Sequence, residues 1–471
     1  MTVIPFATNS YSSRSLPISA QRVVNCYAEK EPEDAETPVA VFGSPGLTQA
    51  FQCGVGPVRG FRLMNGVLYV VSGSRLYSIA SLSATPVDVG GAIGGSGFTP
   101  MSDNGTQVNI VNGVNSYIYS VANGFQVVTD SNFHAAVSTT FFDNYFVYPW
   151  NGTNKFFVSN SLDGTTFNGI NFASAEVSPD FVLSIINQQE NLLIFGKSTI
   201  EAWYDAGALN FPFLRVNSGT IERGCAAALT PVKEDNSVFF LGDDLVFYRL
   251  NGTALVRVST HAIEQAFQSY TTVSDAYCFS YTWEGHKFIH LVFPTANANW
   301  VFDIATEYWH ERESWDQNNS NLGRWRGNCA IEAFGEVLIG DAYSGQVGFL
   351  DQTSVVEFGN TVQMVMTAPP LHKDRKWLFV GSLELEVESG TGINSGQGTD
   401  PQIMVDYSKD GGRTFANLQR FSTIGRIGAF LTRCRWLQFG AARQWVFRAV
   451  ISDPVKRVVL SAHADIVSED E

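Results

Sequence analysis

The sequence has no long hydrophobic run and few charged residues, and basic residues are the scarcer kind. Only 16% of its 471 residues are charged, and 45 acidic residues face 30 basic ones, a net charge of −15. Proteins that read nucleic acid gain affinity by neutralising phosphates with clustered Lys and Arg, so this balance argues against specific nucleic-acid recognition. No stretch reaches the ~20 apolar residues of a membrane helix. The amino terminus also lacks the pattern of a secretory signal. We therefore expect no membrane-spanning segment.

Cysteine and catalytic motifs are equally scarce. The six cysteines are scattered without a CxxC pair, which predicts reduced, mostly buried thiols in a protein made in a cytoplasm. The zinc motif HExxH is absent, because His310 and Glu311 are followed by Arg312 and Glu313. GxSxG, P-loop and dinucleotide-binding patterns are absent too. We expect no catalytic residue, no metal and no cofactor.

Glycine and phenylalanine are abundant, with 42 and 35 residues, and 45% of the chain is hydrophobic. Such a chain can bury a large core. Both residues of an Asn-Gly pair accept positive φ at low cost, so these pairs mark hairpin turns. They begin at Asn65, Asn104, Asn112, Asn123, Asn151, Asn168 and Asn251. This pattern predicts an all-β protein of many short antiparallel strands.

A unit of apolar strands and turns recurs along the chain. Its turns lie at Asn65, Asn104, Asn144, Asn191, Asn236, Gly285 and Gly335. Successive turns are therefore 39, 40, 47, 45, 49 and 50 residues apart. Four short strands with their turns need about 40 to 50 residues, which is one blade of a β-propeller. We predict a propeller of about six or seven blades over residues 55–360. The alternative is a set of stacked β-sandwiches without circular closure.

Three further segments flank the predicted propeller. Residues 361–376 contain Pro369 and Pro370 followed by a charged run, and we interpret them as a linker. Residues 377–471 contain five strand patterns with turn signals, which predict a carboxy-terminal antiparallel β-sandwich. Residues 1–54 have little periodicity and an acidic run. We interpret them as an extended amino-terminal arm that packs on the body or on a neighbour.

Two segments resemble the Asp-box turns of sialidases and related propellers, in which Asp and Thr side chains bond a hairpin turn above an aromatic ring. Their residues are Ser161, Asp163, Gly164, Thr166 and Phe167, and then Ser408, Asp410, Gly411, Gly412, Thr414 and Phe415. The motif is structural. A sialidase would also need a cluster of arginines, and the predicted propeller is poor in Arg, so we predict structural turns here.

Histidines and paired carboxylates are the remaining chemical candidates. On one strand face, Glu284, His286 and His290 alternate, but alternate residues lie nearly 7 Å apart and a third ligand would have to come from another strand. The neighbouring acids Asp243 and Asp244, and Asp316 beside Trp315, would suit glycoside cleavage. Acids at a hairpin turn are more often simply solvated. These patterns do not select an enzyme.

A resemblance to a known family covers nearly the whole chain. Residues 24–29 (VNCYAE), an acidic spacer and residues 43–47 (GSPGL) resemble the opening of packaged-DNA stabilisation proteins, the tail hub or nozzle of short-tailed phages. The segments FGKSTIEAWYDAG, GTIERGCAA, IEQAFQSYT, LELEVESGTG and DYSKDGGRTF follow in the family's order. The amino-terminal MTVIPFATNSY and many blade loops depart from the pattern.

The resemblance implies a structural protein of the virion tail, made in the host bacterial cytoplasm. It implies a homo-hexameric ring below the portal and its head-to-tail adaptor. The ring would extend the DNA channel, retain packaged double-stranded DNA, let it pass without specific contact, and anchor a tail needle, spike or fibres. The rival hypotheses are a carbohydrate-binding or polysaccharide-cleaving propeller and a propeller scaffold of non-viral origin.

Overall fold

A computed structural model describes residues 1–32, 38–175, 180–208, 211–316, 320–416 and 420–469 of the chain. Six strands come first, before the repeating units begin. They are β1 (Thr2–Val3), β2 (Tyr11–Ser12), β3 (Ala20–Val24), β4 (Cys26–Lys30), β5 (Val39–Gly43) and β6 (Gly46–Gln52).

Four blades follow, each an antiparallel sheet of four strands in chain order. Blade one is β7 (Val58–Met64), β8 (Val67–Ser72), β9 (Arg75–Ile79) and β10 (Val87–Gly90). Blade two is β11 (Met101–Asp103), β12 (Gln107–Val111), β13 (Ser116–Ser120) and β14 (Gly124–Val127). Blade three is β15 (Thr140–Phe142), β16 (Tyr145–Pro149), β17 (Lys155–Asn160) and β18 (Asp163–Ser174). Blade four is β19 (Val182–Gln188), β20 (Asn191–Gly196), β21 (Ile200–Asp205) and β22 (Phe213–Ile221).

Three further blades complete the propeller. Blade five is β23 (Val232–Glu234), β24 (Ser237–Leu241), β25 (Phe247–Asn251) and β26 (Ala254–Arg257), and α1 (His261–Ser269) follows it. Blade six is β27 (Tyr277–Trp283), β28 (His286–Phe293), β29 (Ala298–Asp303) and β30 (Tyr308–Glu311), and the hairpin of β31 (Glu313–Asp316) and β32 (Asn321–Arg324) follows it. Blade seven is β33 (Gly327–Ala333), β34 (Glu336–Asp341), β35 (Gln346–Asp351) and the early strand β6.

The propeller closes through β6, which pairs antiparallel with β35 and places Leu47 opposite Leu350. A strand from the start of the chain thus completes the last blade, and β7 of blade one lies against β33 of blade seven. Closure covers the sheet faces that an open row of blades would leave exposed on its two terminal blades. The predicted all-β propeller is confirmed, with seven blades in the described part of the chain.

The predicted turns lie in or beside the first hairpin turn of all seven blades. Asn65 has φ 51° and Asn144 has φ 71°, the left-handed backbone that tight hairpin turns require. The prediction of a turn at Asn168 is wrong. That Asn-Gly pair lies inside β18, where Gly169 lets the strand approach Asn132: a Cβ on Gly169 would lie 2.7 Å from its Oδ1.

The hydrophobic core is divided into one cluster between each pair of neighbouring blades and one inside the carboxy-terminal domain. Blades one and two share the cluster of Val71 and Ile110, and blades seven and one share that of Phe51 and Val70. A single sheet cannot bury both of its faces, so each blade depends on its two neighbours. This dependence makes the ring a single packing unit.

The helix α1 packs its apolar face on blades five and six. Ile263 and Phe267 belong to the cluster that also contains Phe293 and Trp309. Thr260 is the capping residue of α1 and makes no side-chain cap bond. Ser259 instead accepts a hydrogen bond from Phe247 N at 2.9 Å and donates to Glu264 Oε1 at 2.7 Å, which joins the helix to blade five.

Two sheets form the carboxy-terminal sandwich after the short strands β36 (Val356–Glu357) and β37 (Asn360–Thr361). Its strands are β38 (Met364–Thr367), β39 (Trp377–Val387), β40 (Gln402–Ser408), β41 (Arg420–Thr423), β42 (Cys434–Ala442), β43 (Val446–Ile451) and β44 (Val458–Glu469). One sheet has the order β4-β5-β44-β39-β42 and the other β3-β38-β43-β40-β41. The predicted carboxy-terminal sandwich is confirmed.

The amino-terminal residues are woven into this sandwich. In the segment interpreted as an extended arm, residues 1–54, strands β1 to β5 pair within its two sheets and β6 within blade seven. In the range interpreted as a linker, 361–376, β38 is an internal strand between β3 and β43. The second sheet also continues into blade six, through a parallel bridge of Val24 with Glu311. The exact domain bounds stay a prediction.

Candidate functional site

The first predicted Asp turn lies in blade three, where Asp163 begins β18. Its carboxylate accepts hydrogen bonds from Thr165 N at 2.9 Å and from Thr166 Oγ1 at 2.8 Å. Burial raises the pKa of Asp163, but these bonds outweigh it and the pKa is lowered. Phe167 is buried among the rings of the cluster between blades two and three. The carboxylate is occupied by its own turn.

The second predicted Asp turn lies in the sandwich, after β40. Asp410 Oδ1 accepts from Ser408 Oγ at 2.6 Å, and its Oδ2 accepts from Thr414 Oγ1 at 2.6 Å. The hydrogen bond from Ser408 Oγ lowers the pKa of Asp410 most, followed by the bond from Thr414 Oγ1, and together they hold it well below its usual range. The guanidinium of Arg448 lies over the Phe415 ring, 4.1 Å from the ring centroid. The two turns lie in different domains and form no common site.

The histidines of blade six are separate core residues. His286 Nδ1 lies 2.8 Å from Asp303 Oδ2, and His290 Nδ1 lies 3.1 Å from Asn299 Oδ1. Burial lowers the pKa of His310 to about 3 and holds that of His290 well below 6.5. Glu284 sits in the hairpin turn with φ 48°. In the ranges that the structure describes, no group of three His, Cys, Asp or Glu side chains is placed to hold a metal.

The candidate carboxylates for sugar cleavage lie in two different settings. Arg223 Nη1 bridges Asp243 and Asp244 at 3.0 and 3.1 Å, so one guanidinium is shared by both carboxylates at this turn. Asp316 is buried and lines a cavity of about 410 Å³ together with Trp315 and Asp341. Arg326 holds Asp341 there with two bonds of 3.0 and 2.9 Å. The geometry assigns Asp243, Asp244 and Asp341 to ion pairs.

A buried polar network at the domain junction was not predicted from sequence. Glu357, on β36, accepts from Arg312 Nη2 at 3.1 Å, from Ser314 Oγ at 2.5 Å and from Trp325 Nε1 at 2.5 Å. Arg312 and Glu357 are each 2% exposed. Breaking such a buried pair is costly because one charge is left without a partner, about 3–5 kcal/mol. The network fixes the strand after the last blade to the propeller. Its members lie 32 to 45 positions from Glu357, so no local pattern reveals them.

An apolar loop protrudes from the sandwich between β41 and β42. Its exposed side chains are Ile427, Phe430 and Leu431, at 61%, 72% and 96% exposure. Gly390 lies beneath it with φ 77°, and a Cβ there would lie 2.7 Å from Phe430 Cδ1. Ser389 Oγ also donates to Phe430 O at 2.7 Å. Because the loop is held in place rather than folded inward, its apolar surface has the character of a contact site. We call residues 427–431 the apolar loop.

The inner strands of the blades surround an axial cavity of about 400 Å³. Polar side chains from consecutive blades meet there: Arg62, Asp103, Thr140, Asn187 and Lys233. Each lies one to three residues before the first hairpin turn of its blade, so the repeat itself gathers them at one end of the channel. The repeat predicts these turns but does not show that the side chains beside them meet.

The seven closed blades and the interwoven sandwich define the class of protein, a β-propeller with an attached β-sandwich. Two family models match it in that order. The model of the bacteriophage P22 Gp10 β-propeller matches residues 4–355, and the model of the Gp10 β-sandwich matches residues 363–467. The chain belongs to the family of bacteriophage P22 Gp10. It is a structural protein of a phage tail, located in the virion, where it assembles with other tail proteins.

Solved structures resemble the chain only distantly. The N-terminal domain of Nup159 is 13% identical, with a TM-score of 0.42 over 69% of this chain and 98% of that one. The extracellular domain of BT4673 from B. thetaiotaomicron is 9% identical, with a TM-score of 0.44 over 65% and 40%. PorZ of Porphyromonas gingivalis is 10% identical, with a TM-score of 0.36 over 80% and 46%. No curated protein sequence matches the chain. No helix within the described ranges has the length and apolarity to cross a membrane.

Proposed function

We propose that six copies of this chain, made in the host bacterial cytoplasm, form a ring that serves as the tail hub or nozzle. The ring lies below the portal and its adaptor, extends the DNA channel, retains the packaged DNA and anchors a needle, spike or fibres. The observation that carries the proposal is the match to both Gp10 domains over residues 4–355 and 363–467. No catalytic residue is part of it.

The distribution of charge supports a conduit for DNA. Residues 55–360, the predicted propeller, contain 28 acidic and 14 basic residues, whereas residues 377–471 contain 11 and 10. An acidic wall repels the phosphates of the duplex, which lets DNA slide without being gripped. We therefore place acid-rich propeller loops toward the lumen. A ring structure whose lumen wall is basic would contradict this placement.

The apolar loop supports contact between copies. We propose that the apolar loop binds the acidic propeller of the next copy in the ring. Arg426, at the start of the loop, has a side chain 73% exposed and forms a 3.6 Å ion pair with Asp400, and its exposed part would face that acidic surface. Aromatic side chains and arginines are enriched at protein interfaces. A contact of one copy's sandwich with the next copy's propeller is head-to-tail, the geometry from which rings are built.

The ring and its contact can be tested together by combining Phe430→Ser with Leu431→Ser. Loss of anchors at an interface centre costs about 2 kcal/mol or more, so we expect the dissociation constant between copies to rise by at least about tenfold. Light scattering after size exclusion measures this, and electron microscopy with the adaptor ring shows placement and copy number.

The matched control combines Val114→Ser with Val121→Ser, two apolar residues of the propeller that are 66% and 81% exposed. The control should assemble as the unaltered chain does. A six-copy ring that persists in the loop variant at equal concentration would eliminate the apolar loop as the contact. Failure of the unaltered chain to form a ring on the adaptor would eliminate the hub itself.

A further inference from the structure

The axial cavity differs in charge from the propeller that contains it. Four of its lining residues have ionisable side chains: Arg62, Asp103, Lys233 and Cys278. Burial raises the pKa of the Cys278 thiol well above its usual value, so the thiol is neutral. The lining therefore has one net positive charge, although residues 55–360 have 28 acids and 14 bases.

The two cations of the cavity are not equally satisfied. Arg62 is paired with Asp103 through its Nε. Lys233 Nζ donates to an amide oxygen, Asn187 Oδ1, at 3.0 Å, and makes no ion pair with any described residue. Asn187 Oδ1 also accepts from Thr140 Oγ1 at 3.0 Å. One ammonium group thus faces the cavity without a counter-charge.

Two further observations concern the same cavity. Lys233 is solvent-exposed, but the cavity walls desolvate it in part, which lowers its pKa, and the nearby Arg62 lowers it further, as expected for two cations that lack enough negative charge between them. Thr99 lines the cavity at 1% exposure, and its Oγ1 has no hydrogen-bond partner among the described residues. A buried hydroxyl without a partner is destabilising, and a bound acceptor would remove that cost.

We propose that the axial cavity binds a small tetrahedral oxyanion of the phosphate class between Lys233 and Arg62. The anion supplies the counter-charge that Lys233 lacks, and its oxygens accept hydrogen bonds from the ammonium and guanidinium groups. The acids on the outside of the propeller oppose binding only weakly, because the Debye length is about 8 Å at physiological ionic strength. The site is separate from the proposed contact between copies and does not depend on ring formation.

Titration of the purified full chain with inorganic phosphate, followed by calorimetry and thermal melting, tests the proposal. We expect saturable uptake of one anion per chain and a melting temperature that rises with phosphate. Lys233→Gln should weaken the affinity by at least about tenfold, because a charge-assisted hydrogen bond contributes about 1.5–3 kcal/mol. Lys233→Arg, which keeps the charge, should keep most of the binding.

The control variant is Lys197→Gln, which removes a lysine that lies over the Phe181 ring in blade four; it should bind phosphate like the unaltered chain. Displacement of phosphate by sulfate, but not by sodium chloride at equal ionic strength, supports recognition of the oxyanion. Equal displacement of phosphate by sodium chloride would show that salt screening weakens the binding, and this would overturn the proposed site. The site is also overturned if Lys233→Gln binds phosphate as tightly as the unaltered chain, provided that the variant melts at the same temperature as that chain without phosphate. Absence of phosphate uptake by the unaltered chain at millimolar concentration would overturn it as well.

Discussion

Asp163 and Asp410 each accept several hydrogen bonds from the residues that follow them, and so fix a tight turn. We propose that both are structural. A carboxylate held by Ser and Thr hydroxyls and by backbone N–H groups has its charged form stabilised, which is why the pKa of each is lowered. The sequence pattern indicates both turns because the partners within each turn lie within four positions of the aspartate, although Asp163 also accepts a bond from the distant Gln107 at 3.3 Å.

Replacing Asp410 by Ala removes this turn and gives a pH-dependent loss. A carboxyl with a pKa lowered by folding stabilises the fold above its usual value near 3.8, and this contribution is lost as pH falls through the folded value. We expect the free energy of unfolding to fall by about 1 kcal/mol at pH 7, a modest loss because the group is partly exposed. The difference from the unaltered chain should shrink below about pH 4. Urea denaturation of the variant and of the unaltered chain, at pH 7 and below about pH 4, measures this difference in the free energy of unfolding.

The control for that measurement is Asp465→Ala, which removes an exposed aspartate of β44; surface changes of this kind usually stay within about 0.5 kcal/mol. An Asp410→Ala variant as stable as this control at pH 7 would show that the turn needs no carboxylate.

At the scale of elements, β6 decides whether the propeller is closed. Phe51 on β6 is 3% exposed and packs between blades seven and one, so it contributes to the last interface of the ring. We expect Phe51→Ala to lower the free energy of unfolding by about 3–5 kcal/mol, the usual cost of emptying a buried aromatic site. Thermal and urea denaturation of the purified chain are the measurements.

The same Phe→Ala substitution at an exposed position is the control, because it removes an aromatic side chain without touching the strand that closes the propeller. Phe181, in blade four, is 47% exposed, and Phe181→Ala should cost much less. Equal losses for the two variants would mean that β6 has no special part in holding the propeller together.

At the scale of the whole molecule, the acidic surplus separates a conduit from a DNA-binding protein. We expect the purified chain to leave the mobility of double-stranded DNA unchanged even at about 50 mM salt, where phosphate contacts are strongest. Gel mobility against a basic DNA-binding protein of similar size measures this. Retardation that weakens steeply with added salt would reveal phosphate contacts and contradict the acidic lumen.

The blades and the sandwich could be predicted from the sequence because their signals are local. A hairpin needs turn residues such as Asn65 and Gly66 between two apolar strands, and such signals recur once in every blade. The family resemblance rests on short sequence segments in a fixed order, and the matches to both Gp10 domains confirm it.

What only the tertiary structure decided are the contacts between distant parts of the chain. β6 meets β35 about 300 residues later. Glu357 binds Arg312 and Trp325, which lie between strands in distant parts of the chain. Lys233 meets Asn187 only because blades four and five lie side by side. Patterning fixes which face of a strand is buried, but it does not say which strand lies beside it. That choice is made by closure of the ring, in which every blade needs two neighbours to bury its faces.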